Sequence, residues 1–186
     1  MRKCVAAFMV LAAACPAHCR ADTVVDWGPG QRWPSPDGSM SVVWWRVGTA
    51  EEAPFQYALM LERPGKKPLL LDRFERNIDV FWSADSRHLA VTDYEGSNIA
   101  ESFIVDVGYN LAFRRRYVAP HLPPAQADGH VYYRWLGWLD TTHTAMYVSG
   151  HTDTNPSHGF DYEFTYNIIT KKFMSSKVLR DGEVYP

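Results

Sequence analysis

Trp82-Ser83-Ala84-Asp85-Ser86-Arg87-His88-Leu89-Ala90-Val91 decides the reading of this chain, because its pattern occurs three times. Ser35-Pro36-Asp37-Gly38 precedes Val42 and Val43, and Trp138-Leu139-Asp140-Thr141 precedes Met146 and Val148. Each copy reads as an aromatic strand, a tight turn at an aspartate, and a second apolar strand. Asp85 follows Asp37 by 48 residues and Asp140 follows Asp85 by 55, spacings suited to one four-stranded sheet per copy. A unit of that size cannot bury its apolar face alone, so the copies must stack and share a core.

Turn chemistry and strand composition extend the pattern outward. In the second copy, segments 78–83, 88–94, 101–107 and 111–118 are short, rich in aromatic and β-branched residues, and bounded by turn formers. The first copy yields 40–47, 55–62 and 68–74, with Pro64 and Gly65 supplying the hairpin dihedrals. The third yields 132–138, 144–149, 162–168 and 172–179, with a longer loop between His151 and Phe160. Phe55 and Phe103, each 18 residues after its aspartate, open matching strands. No segment longer than a turn shows a helical period. The carboxylates of Asp37, Asp85 and Asp140 are read as caps for local amides, and Trp33, Trp82, Trp135 and Trp138 as fillers between neighbouring sheets.

With residues 103–107 (FIVDV) added, the second copy resembles the Trp-Ser-Pro-Asp-Gly blade signature of TolB-type and related WD-like β-propeller repeats. The resemblance implies an all-β fold of three consecutive antiparallel propeller-like blades of about four strands each. Closed propellers use at least four blades, so three imply an open or partial propeller, or a ring completed by another chain. The signature implies nothing about chemistry.

The first residues carry Arg2 and Lys3 before an apolar run from Cys4 to Cys15, too short to span a bilayer. Residues 1–21 are read as a signal peptide cleaved after Ala21, leaving residues 22–186 as a single exported domain, periplasmic or secreted. A lipoprotein reading would anchor the chain at Cys15 instead. All three cysteines lie in this leader, which excludes disulfides, cysteine catalysis and cysteine metal ligation from the cleaved chain. Loss of Arg2, Lys3 and Arg20 lowers the basic count from 19 to 16 against 21 acids, a net charge of −5. Such a chain has no broad positive field for nucleic acid. Arg114, Arg115 and Arg116 are read as a solvated, charge-protected edge strand or as a patch for an acidic partner. No later stretch can cross a membrane as a helix.

Two loops between second and third strands attract functional interest. One carries Tyr94, Glu95 and Asn98, the other His151, Asp153 and Asn155, and blades stacked in register would send both from one rim. His143, His151, Asp153, His158 and Asp161 match no zinc spacing, so neither metal nor cofactor is expected. Ser97 and Ser102 lack a nucleophile elbow, and no catalytic residue is assigned. The leading expectation is a non-catalytic exported module binding a protein partner, as an inhibitor or immunity-type factor would. A glycan or peptidoglycan-fragment binder using Trp27, Trp33, Trp44 or Trp45 is the alternative; Trp44 and Trp45 must face opposite sides of their strand. A hydrolase built on the His151 loop or on Asp93, Glu95 and Glu101 is the third.

Overall fold

The computed structural model describes residues 31–47, 56–96, 100–108, 113–127 and 129–183. They form three antiparallel four-stranded sheets in sequence order, the open partial propeller expected from the repeats. The first sheet contains β1 (Arg32–Pro34), β2 (Ser41–Val47), β3 (Gln56–Glu62) and β4 (Leu69–Phe74). The second contains β5 (Asn77–Trp82), β6 (His88–Tyr94), β7 (Glu101–Val107) and β8 (Phe113–Tyr117). A one-turn helix, α1 (Pro124–Ala127), leads to the third: β9 (His130–Trp138), β10 (His143–His151), β11 (His158–Asn167) and β12 (Lys172–Glu183). The third sheet is longer than its sequence suggested. Most of its strands extend past the expected ends, and the 151–160 loop shrinks to a turn at 152–157. The leader, Trp27, Phe55, Ser97 and Asn98 lie outside the described residues.

The aspartate turns repeat at atomic detail in the first two sheets. Ser35 Oγ donates to Asp37 Oδ1 at 2.6 Å, and Ser83 Oγ does the same to Asp85. The serine oxygen then accepts an amide five residues on, from Met40 at 3.0 Å or His88 at 2.9 Å. Gly38 and Ser86 both take positive φ, +69° and +61°, at the residue following the aspartate. The third copy has no serine before its aspartate, and Asp140 instead accepts the amides of Thr142 and His143 at 2.6 and 2.8 Å. Hydrogen bonds from Ser35 and Ser39 pull the Asp37 pKa down to about 2, and those from Thr142 and His143 do the same for Asp140.

Indole groups join the sheets. Trp82 Nε1 donates to the Trp33 carbonyl at 2.9 Å, and Trp138 Nε1 donates to the Phe81 carbonyl at 2.9 Å, each reaching back to the preceding sheet. The Asp37 amide also crosses to Ser86 Oγ at 3.1 Å. Trp135, 1% exposed, faces the second sheet as well, with Nε1 3.3 Å from the Phe103 carbonyl. Residues 135 and 138 would point to opposite faces of a regular strand. A bulge opposite Ala145 and Met146 leaves Leu136 unpaired and restores both indoles to one face, with Gly137 at φ +127° absorbing the irregularity.

The second sheet is consequently buried on both faces. Leu89, Val91, Phe103 and Val105 pack with Val42, Leu59, Leu61 and Leu71 of the first sheet. Ala90 and Ile104 face Trp135, Met146, Val148 and Phe160 of the third. This double burial explains the nearly continuous apolar run of β7, whereas β11 alternates buried and half-buried residues. Arg115 departs from the solvated edge expected of it: it crosses to the Asp72 carboxylate on β4 and lies 3.9 Å from the Phe103 ring centroid.

Candidate functional site

Chain direction puts all three aspartate turns on one rim and the second-to-third-strand connections on the other. Strand β6 ends at Tyr94 and β10 ends at His151 on this second rim, where the edge of β9 begins at His130. A parallel bridge from Ala100 to Tyr132 joins the second and third sheets there.

Between those sheets lies a cleft of about 390 Å³ lined by Tyr94, Tyr132, Tyr133, Arg134, Tyr147 and Ser149. Tyr132 and Ser149 are shared with a neighbouring cleft of about 410 Å³ that continues to His151, Pro156 and Arg180. Two of the phenols are held by carboxylates: Tyr94 donates to Asp79 at 2.7 Å and Tyr147 to Asp161 at 2.8 Å. Burial, and then the Asp79 charge, drive the Tyr94 phenol above its ordinary range, so it remains a neutral donor. Arg134 lies 5.4 Å from the Tyr147 ring centroid, and Arg180 pairs with Asp161 at 2.7 Å. The arrangement offers aromatic faces, phenol dipoles and guanidinium groups on strands whose backbone is fixed by sheet pairing.

The residues singled out from sequence fall in several different surroundings. Tyr94 and His151 line adjoining clefts through their common neighbour Tyr132. Glu95 follows strand alternation to the opposite face, where burial and the charges of Glu101 and Asp72 raise its pKa. Asn155 is exposed in a turn closed by Thr152, whose Oγ1 accepts the Asn155 amide and donates to its carbonyl, both at 3.1 Å. Asp153 turns toward His130, 3.3 Å away. His158 pairs with Asp181 at 2.8 Å, Asp161 with Arg180 and Tyr147, and His143 with Asp140 on the other rim, so these three do not join His151.

Sequence reasoning missed Tyr132, Tyr133, Arg134 and Tyr147, and also His130. For all but Tyr147 the signal was the run His130-Val131-Tyr132-Tyr133-Arg134, polar and aromatic where a strand packed against a neighbouring sheet would otherwise be aliphatic. Of the tryptophans considered for sugar stacking, Trp44 is buried at 6%, Trp33 packs against the core, and Trp45 is 44% exposed. Asp93 does not open to solvent. It is 2% exposed, its Oδ1 has no hydrogen-bond partner among the described residues, and its pKa rises to about 7 through burial and then the charges of Asp72 and Glu95.

No family model matches the chain, and no curated protein matches it in sequence. Among solved structures it is similar to an acylaminoacyl peptidase from Pyrococcus horikoshii in an orthorhombic crystal form. The TM-score is 0.51 at 7% identity, over 83% of this chain and 25% of that chain. A structure from a study of two prolyl endopeptidases matches with TM-score 0.44 at 11% identity, over 83% of this chain and 29% of that one. TolB from Acinetobacter baumannii matches with TM-score 0.37 at 11% identity, over 81% and 43%. This chain thus spans a quarter of the length of the peptidase it matches. The likeness is one of propeller-like fold and carries no chemistry. Among the described residues no helix is long and apolar enough to cross a membrane.

Proposed function

We propose that this chain is an exported, non-catalytic interaction module that grips a protein partner along the rim joining its second and third sheets. The supporting observation is the band Tyr94, Tyr132, Tyr133, Arg134 and Tyr147, gathered from two sheets into one cleft. Tyrosine and arginine dominate the energetic centres of protein interfaces, since each gives large contact area and directional polar groups. Placing them on strands lowers the ordering cost of binding. An inhibitor or immunity-type factor acting on an enzyme in the same compartment is the concrete form of this reading, and it requires no catalytic group of its own.

The test is affinity capture by the chain from its own envelope fraction, followed by sizing of the complex. The wild-type chain is expected to hold one partner stoichiometrically. Arg134→Glu and Tyr132→Ala should weaken that complex by roughly tenfold or more, while Thr141→Ala on the opposite rim leaves it intact. A monomer that captures nothing, or equal capture by all variants, would overturn the proposal.

A second reading, a glycan or peptidoglycan-fragment binder, draws on Trp45, a residue 44% exposed on β2. It requires sugar fragments to quench the fluorescence of wild type but not of Trp45→Leu.

A further inference from the structure

Strands β9 and β10 run antiparallel with His130 directly opposite His151, so their imidazoles emerge on the same face of the third sheet. The ring centroids are 4.8 Å apart and tilted by 41°, which is neither a hydrogen bond nor a flat stack. Both Nδ1 atoms are buried and have no hydrogen-bond partner among the described residues. Asp153, two residues beyond β10, brings Oδ1 to 3.3 Å from His130 Nδ1 without bonding to it. One ligand atom from each of the three residues lies within 4.8 Å of the others.

The backbone is adapted to bring the two histidines together. A methyl group at Gly150 would meet the His130 carbonyl oxygen at 2.2 Å and the Phe160 ring at 2.7 Å. One at Gly129 would meet the His151 carbonyl oxygen at 2.1 Å. A glycine beside each histidine therefore lets the strands close at this point, where any side chain would push them apart.

We propose that His130, His151 and Asp153 form a binding site for a divalent transition-metal ion of the zinc class. Unprotonated imidazole nitrogens and one carboxylate suit such an ion, and a tetrahedral centre with bonds of about 2.0–2.1 Å separates its ligands by about 3.3 Å. The His130 to Asp153 spacing already has that value. Asp153 is 62% exposed, so its carboxylate can swing to complete the set without disturbing the core. Three protein ligands leave one position for water or for a donor from a bound molecule. The assignment uses none of the tyrosines of the neighbouring cleft, although His151 also lines the cleft adjoining it.

The test is calorimetric titration of Zn²⁺ into the chelator-treated chain, purified without a histidine tag. One ion per chain is expected. His130→Ala and His151→Ala should each weaken binding by roughly tenfold or more, the scale of losing a ligand, and Asp153→Asn by less. His143→Ala and His158→Ala, which remove histidines already paired with aspartates, should leave it unchanged. Equal melting temperatures in chelator establish that a variant is folded. For a variant that unfolds, imidazole nitrogen spectra of the wild-type chain replace it, and Zn²⁺ must shift His130 and His151 while sparing His143 and His158. Binding no stronger than that of the His130→Ala/His151→Ala double variant would overturn the site, as would binding abolished by His158→Ala.

Discussion

Asp93 shows how a single side chain can hold the fold against its own chemistry. Strand alternation aims it at the first sheet, where Asp72, Glu95 and Glu101 add to the cost of its charge and Arg115 only partly offsets them. Its folded pKa of about 7 lies above the ordinary carboxylate value of 3.8, so the folded chain binds a proton more tightly than the unfolded chain. The linked stabilisation is complete below the unfolded value and is lost as pH rises through the folded one. Asp93→Asn should therefore gain stability relative to wild type as pH increases from 5 to 8, by roughly 2–3 kcal/mol across that window. Urea unfolding at the two pH values measures the difference, and a gap independent of pH would contradict the account. No sequence signal announced this behaviour. Asp93 reads as a loop acid at a strand end, and only the neighbouring sheet makes its surroundings dry and crowded.

Among the strands, the indoles and the β9 bulge set how one sheet sits on the next. Trp82 and Trp138 were legible as inter-sheet fillers because each stands just before the aspartate of its turn. Their hydrogen bonds to the preceding sheet were not legible, since the acceptors are backbone carbonyls with no residue signature. Trp82→Phe keeps most of the packing but removes the indole's bond to the Trp33 carbonyl, and should cost about 0.5–1.5 kcal/mol. Denaturant midpoints at unchanged slope would register that loss. The phase reversal at Leu136 was likewise hidden, because counting residues cannot place a bulge. Gly137 has φ +127°, and a methyl group added there would meet only the Phe81 ring, at an ordinary contact distance of 3.8 Å. Gly137→Ala is therefore opposed by backbone conformation rather than by crowding. A destabilisation of about 1–3 kcal/mol is expected. An alanine variant as stable as wild type would remove the bulge from the explanation of how Trp135 and Trp138 share a face.

For the whole molecule, the repeat fixes three sheets and their order, while the stacking brings Tyr94 of the second sheet beside Tyr132, Tyr133, Arg134 and Tyr147 of the third. Residues 88–94 and 101–107 could be read as strands of a shared core, and the central sheet is covered on both faces as that reading requires. Tyr94 and His151 were legible as rim residues because their connections occupy corresponding places in two copies. Tyr132, Tyr133, Arg134 and Tyr147 complete the cleft from strands whose outward ends look like ordinary sheet in the sequence. The same stacking separates Tyr94 from its neighbour Glu95, which strand alternation sends to the other side. Amide hydrogen exchange of the chain alone and in complex with its captured partner locates the contact surface on the molecule. Binding should slow exchange in residues 93–96, 130–134 and 147–152, leaving the aspartate turns at 35–40, 83–88 and 139–143 unchanged. Slowed exchange at those turns, with the tyrosine cleft unaffected, would contradict it.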